Sequence, residues 1–115
     1  MRKLVEFDAW YHDEYRVQGF CIMTNEEYGD MMNTFAEVRK LMEADSYPYI
    51  ELYFGTNECF EIESVDELFD YIEVTDISEQ QAETLAYFFG KEYGYWPLPA
   101  LESWLHDRII ERDME

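Results

Sequence analysis

The sequence predicts an α+β domain: an antiparallel sheet of about four strands with four helices, in the order ββαββααα. Three kinds of observation carry that expectation. Two pairs of short segments are rich in aromatic and β-branched residues and are separated by turn-forming residues. Ser or Thr stands three residues ahead of Glu or Gln at Thr24, Ser64 and Ser78, the spacing of a capping box. Apolar residues recur after each of these caps at helical spacing.

Taken in order, residues 4–11 and 15–23 read as two strands, with His12-Asp13-Glu14 as the turn. Thr24 and Glu27 open a helix whose apolar stripe is Tyr28, Met31, Met32, Phe35, Val38 and Met42, and residues 46–48 break it. A second hairpin follows. Ile50, Leu52 and Phe54 alternate with Tyr49, Glu51 and Tyr53, Gly55-Thr56-Asn57 turns the chain, and Phe60 and Ile62 alternate with Cys59, Glu61 and Glu63. One face of this hairpin is core and the other presents acid and tyrosine.

Ser64-Val65-Asp66-Glu67 then predicts a short second helix with Leu68, Phe69 and Ile72 inward. Ser78 with Gln81 opens a third, carrying Ala82, Leu85, Ala86 and Phe89 and stopping near Gly94. Pro99 suits the first residue of a last helix with Leu101, Trp104 or Leu105, Arg108 and Ile109. With no internal repeat or linker-like stretch, residues 1–115 are expected to form a single acidic domain.

Charge narrows the function. Twenty-seven carboxylates face eight Lys and Arg, a formal charge of −19, while 18% of residues are aromatic. Aromatic content on that scale argues for a folded chain, because acidic disordered chains are poor in aromatics. Such a charge repels itself and exceeds the ~2–8 that solubility asks of a small domain. Salt adaptation would account for the surplus, but it thins out the large apolar side chains this chain carries freely. Between Lys40 and Lys91 there are thirteen carboxylates and no Lys, Arg or His. Opposite charges at i,i+4 support a solvated helix, and here that support is forgone. Asp66, Asp70 and Glu73 are expected on one helical stripe, with Val65, Leu68, Phe69 and Ile72 opposite.

Like charges at helical spacing recur every ~5 Å along the axis. B-DNA carries one charge per ~1.7 Å of axis, so two or three neighbouring stripes approach its density. Glu51, Glu61 and Glu63 on the sheet, Asp66, Asp70, Glu73 and Asp76, and Glu79 and Glu83 on the third helix are the candidate partner-binding acids. Tyr53 and Tyr71 are the candidate contact aromatics among them, with Tyr49 and Tyr87 also expected near the acidic surface.

The segment Phe60-Glu61-Ile62-Glu63-Ser64-Val65-Asp66-Glu67-Leu68, followed by Ala86-Tyr87-Phe88-Phe89, Glu92-Tyr93-Gly94, Pro97 or Pro99, Leu101, Leu105 and Arg112-Asp113, resembles the ArdA antirestriction proteins. These are DNA mimics made by phages and mobile elements, and the similarity runs with gaps from about residue 49 to 113. The resemblance implies that carboxylates standing in for phosphates occupy the DNA-binding cleft of a restriction-modification enzyme. A relative directed at another defence nuclease, such as a CRISPR effector, would look much the same.

Chemistry of other kinds finds little footing. Asp8, His12, Asp13 and Glu14 lack metal-ligand spacing, and neither His-x-x-His nor Cys-x-x-Cys occurs. Five glycines form no phosphate-cradling loop. His106 reads as a surface histidine, and Cys21 and Cys59 as strand residues without a nearby base. No cofactor and no enzymatic activity are expected. Direct nucleic-acid binding is disfavoured, since phosphate contacts need Lys and Arg. The few basic residues near the ends, Arg2, Lys3, Arg108 and Arg112, balance local acid or cap the last helix.

Glu6 and Asp8 interrupt any signal-peptide-like apolar run after Arg2-Lys3, no stretch has membrane-span length, and two cysteines make no disulfide framework. A bacterial host cytoplasm fits best. The expected partner is a basic DNA-binding protein, a restriction-modification or other defence nuclease, with a second copy of the chain as a further partner to consider. Two other readings stand beside the mimic: an immunity protein or antitoxin plugging a basic nuclease toxin, and a housekeeping domain with no dedicated partner. A plug needs one concentrated patch; a mimic needs acid spread along a DNA-like length.

Overall fold

In the computed structural model, which describes residues 1–11, 15–53 and 58–113, the first hairpin is the centre of the molecule. Strands β1 (Arg2–Tyr11) and β2 (Tyr15–Met23) pair antiparallel, with Val5 opposite Cys21 and Phe7 opposite Gly19. Strict alternation sends Val5, Phe7, Ala9, Val17, Cys21 and Met23 to one face, where they are buried. Helix α1 (Asn25–Ala44) packs Met31, Phe35, Val38 and Met42 against that face. Its cap is the expected box, in which the Glu27 amide donates to Thr24 Oγ1 and the Thr24 amide to Glu27 Oε1, each at 3.0 Å.

Strands β3 (Ile50–Tyr53) and β4 (Cys59–Ile62) form the second hairpin. Ile50, Leu52 and Ile62 close the core beside Val65, Leu68 and Leu101. The two turn segments, His12-Asp13-Glu14 and Gly55-Thr56-Asn57, and the inward placing of Phe54 and Phe60 lie outside the described positions.

The α+β class and the antiparallel sheet stand as expected, but the four-stranded sheet is not the two hairpins joined. Its order is β5-β1-β2-β6, and β3-β4 is a separate ladder. Strand β5 (Ile72–Ile77) comes from residues assigned in part to the second helix, which is instead a 3₁₀ helix over Val65–Asp70. Ser64 accepts from the Asp66 amide rather than that of Glu67, while Glu67 accepts from the Glu63 amide at 3.1 Å. One turn later the β-branched run Ile-Glu-Val-Thr-Asp-Ile satisfies its backbone on β1, Val5 facing Val74 and Glu6 facing Glu73.

Helix α2 (Glu79–Phe89) keeps its Ser78–Gln81 capping box but ends at Phe89, not near Gly94, because Gly90 takes φ 86°. Strand β6 (Glu92–Gly94) then returns to β2. A Cβ on Gly19 would lie 2.0 Å from the Tyr95 carbonyl oxygen, so glycine is what lets the chain leave β6 this close to β2. Helix α3 (Leu98–Asp113) starts one residue before Pro99 and closes the core with Leu101, Trp104 and Leu105.

Helix α2 covers only one end of the second sheet face, where Ile77, Ile22 and Ala82 form a small cluster with Leu4, Phe20 and Leu85. Glu6, Asp8, Trp10 and Glu73 on that same face are exposed. No helix among the described residues is long and apolar enough to cross a membrane.

Candidate partner-binding surface

The outer face of β3-β4 is the simplest part of the acidic surface. Alternation that buries Ile50 and Leu52 turns Glu51 and Tyr53 outward, and Glu61 stands directly opposite Glu51. Opposed side chains in such a ladder have Cβ atoms about 5 Å apart. Two like charges therefore face each other with no cation in the ladder. Tyr53 Oη donates to Glu51 Oε2 at 2.7 Å, and this bond with the neighbouring carboxylate holds the phenol's pKa above its ordinary 10.0. Tyrosine and acid are joined here on the outward face that strand alternation predicts, and Glu63 follows Glu61 with the same outward parity.

A second group lies on the open sheet face. Glu6 on β1 is directly opposite Glu73 on β5, and both are exposed. The expected stripe of Asp66, Asp70 and Glu73 is not formed. Asp66 and Asp70 are on the 3₁₀ helix, and Asp66 pairs with Arg39 of α1, which packs on the core side of the sheet. Glu73 shares the opposite sheet face with Glu6. Asp70 and Tyr71 are exposed where the 3₁₀ helix meets β5, and Tyr71 sets an edge of its ring against Phe7.

The third group is compensated. Asp76 takes Lys3 Nζ at 2.5 Å, and Glu79 takes Arg2 Nε at 3.0 Å. Glu83, one turn beyond Glu79 on α2, is exposed. The basic residues of the described chain are used mainly inside it: Arg16 holds Asp8 at 2.7 Å, Lys91 holds Glu27, and Arg108 holds Glu111 at 3.2 Å. The Arg16 guanidinium holds the Asp8 carboxyl below its ordinary pKa, chiefly through this hydrogen bond. Such exposed pairs are weak and exchangeable.

The nine candidate acids thus do not form one patch: Glu51, Glu61 and Glu63 lie along the β3-β4 side, Glu73 on the open sheet face, Asp66, Asp76 and Glu79 are ion-paired, and Asp70 and Glu83 are exposed elsewhere. Glu6 and Asp8 share the open sheet face with Glu73 and were not among the sequence candidates, although alternation with Val5, Phe7 and Ala9 signals their outward placing. Among the aromatics, Tyr87 was named from the sequence as lying near the acidic surface, whereas Phe88, Phe89 and Tyr93 were not. Tyr87 and Phe88, at the end of α2, are 83% and 70% exposed and meet edge to face at 5.1 Å, and Phe20, Phe89 and Tyr93 contact one another with centroids 5.2 to 5.9 Å apart.

Burial pushes the Cys21 thiol up to about 11, so it stays protonated at neutral pH. His106 is exposed on α3, and no group of three metal-ligating side chains converges among the described residues. Comparison of the chain with family models, curated proteins and solved structures gives no match in any of the three.

Proposed function

We propose that this protein is a DNA mimic that occupies the nucleic-acid-binding site of a basic defence enzyme, of the restriction-modification or CRISPR-effector kind, with surface carboxylates. One observation carries the reading: in two separate ladders the chain sets glutamate directly against glutamate, Glu51 with Glu61 and Glu6 with Glu73. Like charges directly opposite weaken a sheet. A surface under selection for stability alone would place Lys at one position of each pair.

Dimensions support the same reading. The molecule measures 48 × 35 × 22 Å. Its net charge of −19 spread over the long axis is one charge per ~2.5 Å, against one per ~1.7 Å for B-DNA. That axis equals roughly one and a half turns of duplex. A rigid surface of this kind enters a basic cleft without the cost of bending or unpairing DNA. The segment that resembles ArdA includes β4 and the 3₁₀ helix, which present Glu61, Asp66 and Asp70, with Glu63 between them.

The exposed aromatics Tyr87, Phe88, Phe89 and Tyr93 favour a second reading, an immunity protein or antitoxin that plugs a nuclease toxin through an aromatic anchor. A gel-shift titration separates the proposal from its failure. The captured target, held with labelled duplex, should release DNA in proportion to added protein. A target that binds both together and independently ends the mimic reading.

A further inference from the structure

The open sheet face is ordered across its strands. The registers set Glu73 of β5 opposite Glu6 of β1, Glu6 opposite Phe20 of β2, and Phe20 opposite Tyr93 of β6. One row across four strands therefore reads acid, acid, aromatic, aromatic. With neighbouring strands about 4.8 Å apart, the row spans ~14 Å. Phe89 joins its aromatic half from α2, the ring centroid 5.9 Å from that of Phe20 and 5.2 Å from that of Tyr93. Phe89 and Tyr93 still leave 49% and 52% of their surface to solvent.

Helix α1 packs on the other face, whereas α2, joining the end of β5 to the start of β6, covers only one end of this one. Toward the other end Glu6, Asp8 and Trp10 follow one another along β1, all exposed. From Glu6 to Trp10 the strand measures ~13 Å, the length of about nine residues of helix. Charge decides the occupant's chemistry. Arg2 and Arg16, the cations of this face, are bonded to Glu79 and Asp8, and no ion pair among the described residues reaches Glu6 or Glu73. The complementary surface is cationic on one flank and apolar on the other. A second copy is not complementary, because at −19 per chain it sets acid against acid. The strands beneath Glu6 and Phe20 are also paired on both edges. A segment lying on them finds no backbone partner and has to satisfy its own amides, as a helix does. A helix about 10 Å across reaches both halves of the row from its two flanks.

We propose that this face docks one amphipathic helix of the basic partner, its Lys and Arg flank over Glu6 and Glu73 and its apolar flank over Phe20, Phe89 and Tyr93. The proposal rests on the mimic reading for the partner's identity, but the docking face is testable alone. It also gives the facing Glu6 and Glu73 a use: their repulsion in the free chain is relieved when the cationic flank is seated between them.

The test titrates ¹⁵N-labelled protein with the blocked amphipathic peptide Leu-Lys-Lys-Leu-Leu-Lys-Leu-Leu-Lys-Lys-Leu-Leu-Lys-Leu. Its control has the same composition in an order that spreads Lys around the helix. The amide signals of Glu6, Phe20, Glu73 and Tyr93 should shift together and saturate. Glu6→Gln/Glu73→Gln should weaken binding about fivefold, and Tyr93→Ser about tenfold. The Gln pair removes a repulsion between facing carboxylates, so that variant keeps its fold. Glu51→Gln/Glu61→Gln takes the same charge from the β3-β4 ladder and should leave affinity within about twofold. Undiminished binding by Glu6→Gln/Glu73→Gln, an equal loss in the β3-β4 variant, equal binding of the control peptide, or shifts centred on β3-β4 overturns the proposal. So does a free chain that sediments as a dimer and becomes monomeric on Tyr93→Ser, which gives the face to a second copy. In the complex, DNA competition unweakened by Glu6→Gln/Glu73→Gln removes the docking face and leaves the mimic reading. Helix binding by a chain that never competes with DNA does the reverse.

Discussion

Glu6 and Glu73 face each other directly across β1 and β5, on the sheet face that α2 leaves open. Their neighbours along the ladder have opposite character. Two residues toward the chain start, on the same face, Leu4 faces Thr75, and one residue further, on the other face, Lys3 faces Asp76 in an ion pair of 2.5 Å. The same two strands thus hold one compensated and one uncompensated cross-strand pair. Glu73→Lys should convert repulsion into attraction and stabilise the free protein by about 0.5–1 kcal/mol. The gain should shrink in high salt, as a denaturant titration at two ionic strengths would report. A loss of stability would show that the two carboxylates do not interact in the folded state.

Function and stability are expected to trade at that position. If carboxylates replace phosphates, the uncompensated ones carry most of the binding. Reversal to Lys at Glu51, Glu61 or Glu73 should weaken the complex tenfold or more, on the order of 1.5 kcal/mol each. Reversal at Asp66, Asp76 or Glu79 should cost less, because each acid is already shared with Arg39, Lys3 or Arg2. Equal losses at all six, measured by competition with DNA, would mean that only total charge matters.

How much of this was legible in the sequence depended on the range of the forces involved. Helix α1 was readable because its cap, stripe and length agree, and the first hairpin because Val5, Phe7 and Ala9 alternate with acid. Strand β5 was hidden because Val65, Leu68, Phe69 and Ile72 also fit a helical period. The β-branched run after Tyr71 buries only Ile77 fully, so its core signal is faint. Strand β6 is three exposed residues held by a tertiary contact at Gly19, which no local pattern encodes. For the candidate surface, outward acid in β3-β4 was readable from alternation. The Asp66–Asp70–Glu73 stripe failed with the helix assumed to carry it. A groove lined by both Met31 and Trp96 joins segments about 65 residues apart and has no local signature.

The Gly19 contact gives a third expectation. Gly19→Ala places a methyl group within 2.0 Å of the Tyr95 carbonyl oxygen and 2.6 Å of its nitrogen, both backbone atoms that cannot swing aside. The chain should relieve the clash by releasing β6, at a cost of about 1–3 kcal/mol. Hydrogen exchange localises the effect: the Ile22 amide, which donates to the Lys91 carbonyl at 2.8 Å, and the Tyr95 amide, which donates to the Gln18 carbonyl at 3.0 Å, should lose protection first. Uniform loss across α1 as well would mean that β6 does not open separately.

Glu27 joins capping to charge, and its pH dependence has a definite sign. Lys91, and then the Thr24 amide, hold its carboxyl below its ordinary 4.5 in the folded state. A lowered folded pKa contributes stability that is full above about pH 4.5 and is lost as the pH falls through the lower, folded value. Glu27→Gln keeps an acceptor for the Thr24 amide but loses the charge. It should cost about 0.5 kcal/mol at pH 7, given the exposure of the pair. The difference from wild type should close below pH 4.5, where the native residue also becomes neutral. Thermal melts of the two proteins from pH 7 to pH 3 check this; a gap that widens on acidification reverses the assignment.

Salt should act in opposite directions on the free protein and on its complex. Self-repulsion at −19 weakens the folded chain and is screened within about 8 Å at 0.15 M ionic strength. The six ion pairs among the described residues are screened as well, but the carboxylate of each is at least 40% exposed and the pair is worth little, so relief of repulsion dominates. The melting temperature of the free chain should therefore rise from low to moderate NaCl. Attraction between carboxylates and a basic cleft is lost over the same range, and the affinity of the complex should fall. A housekeeping acidic domain shares only the first trend. Affinity that stays flat or rises with salt would place the binding energy in the apolar cluster around Tyr87 and Phe88, and substitution of charge for charge would no longer explain the complex.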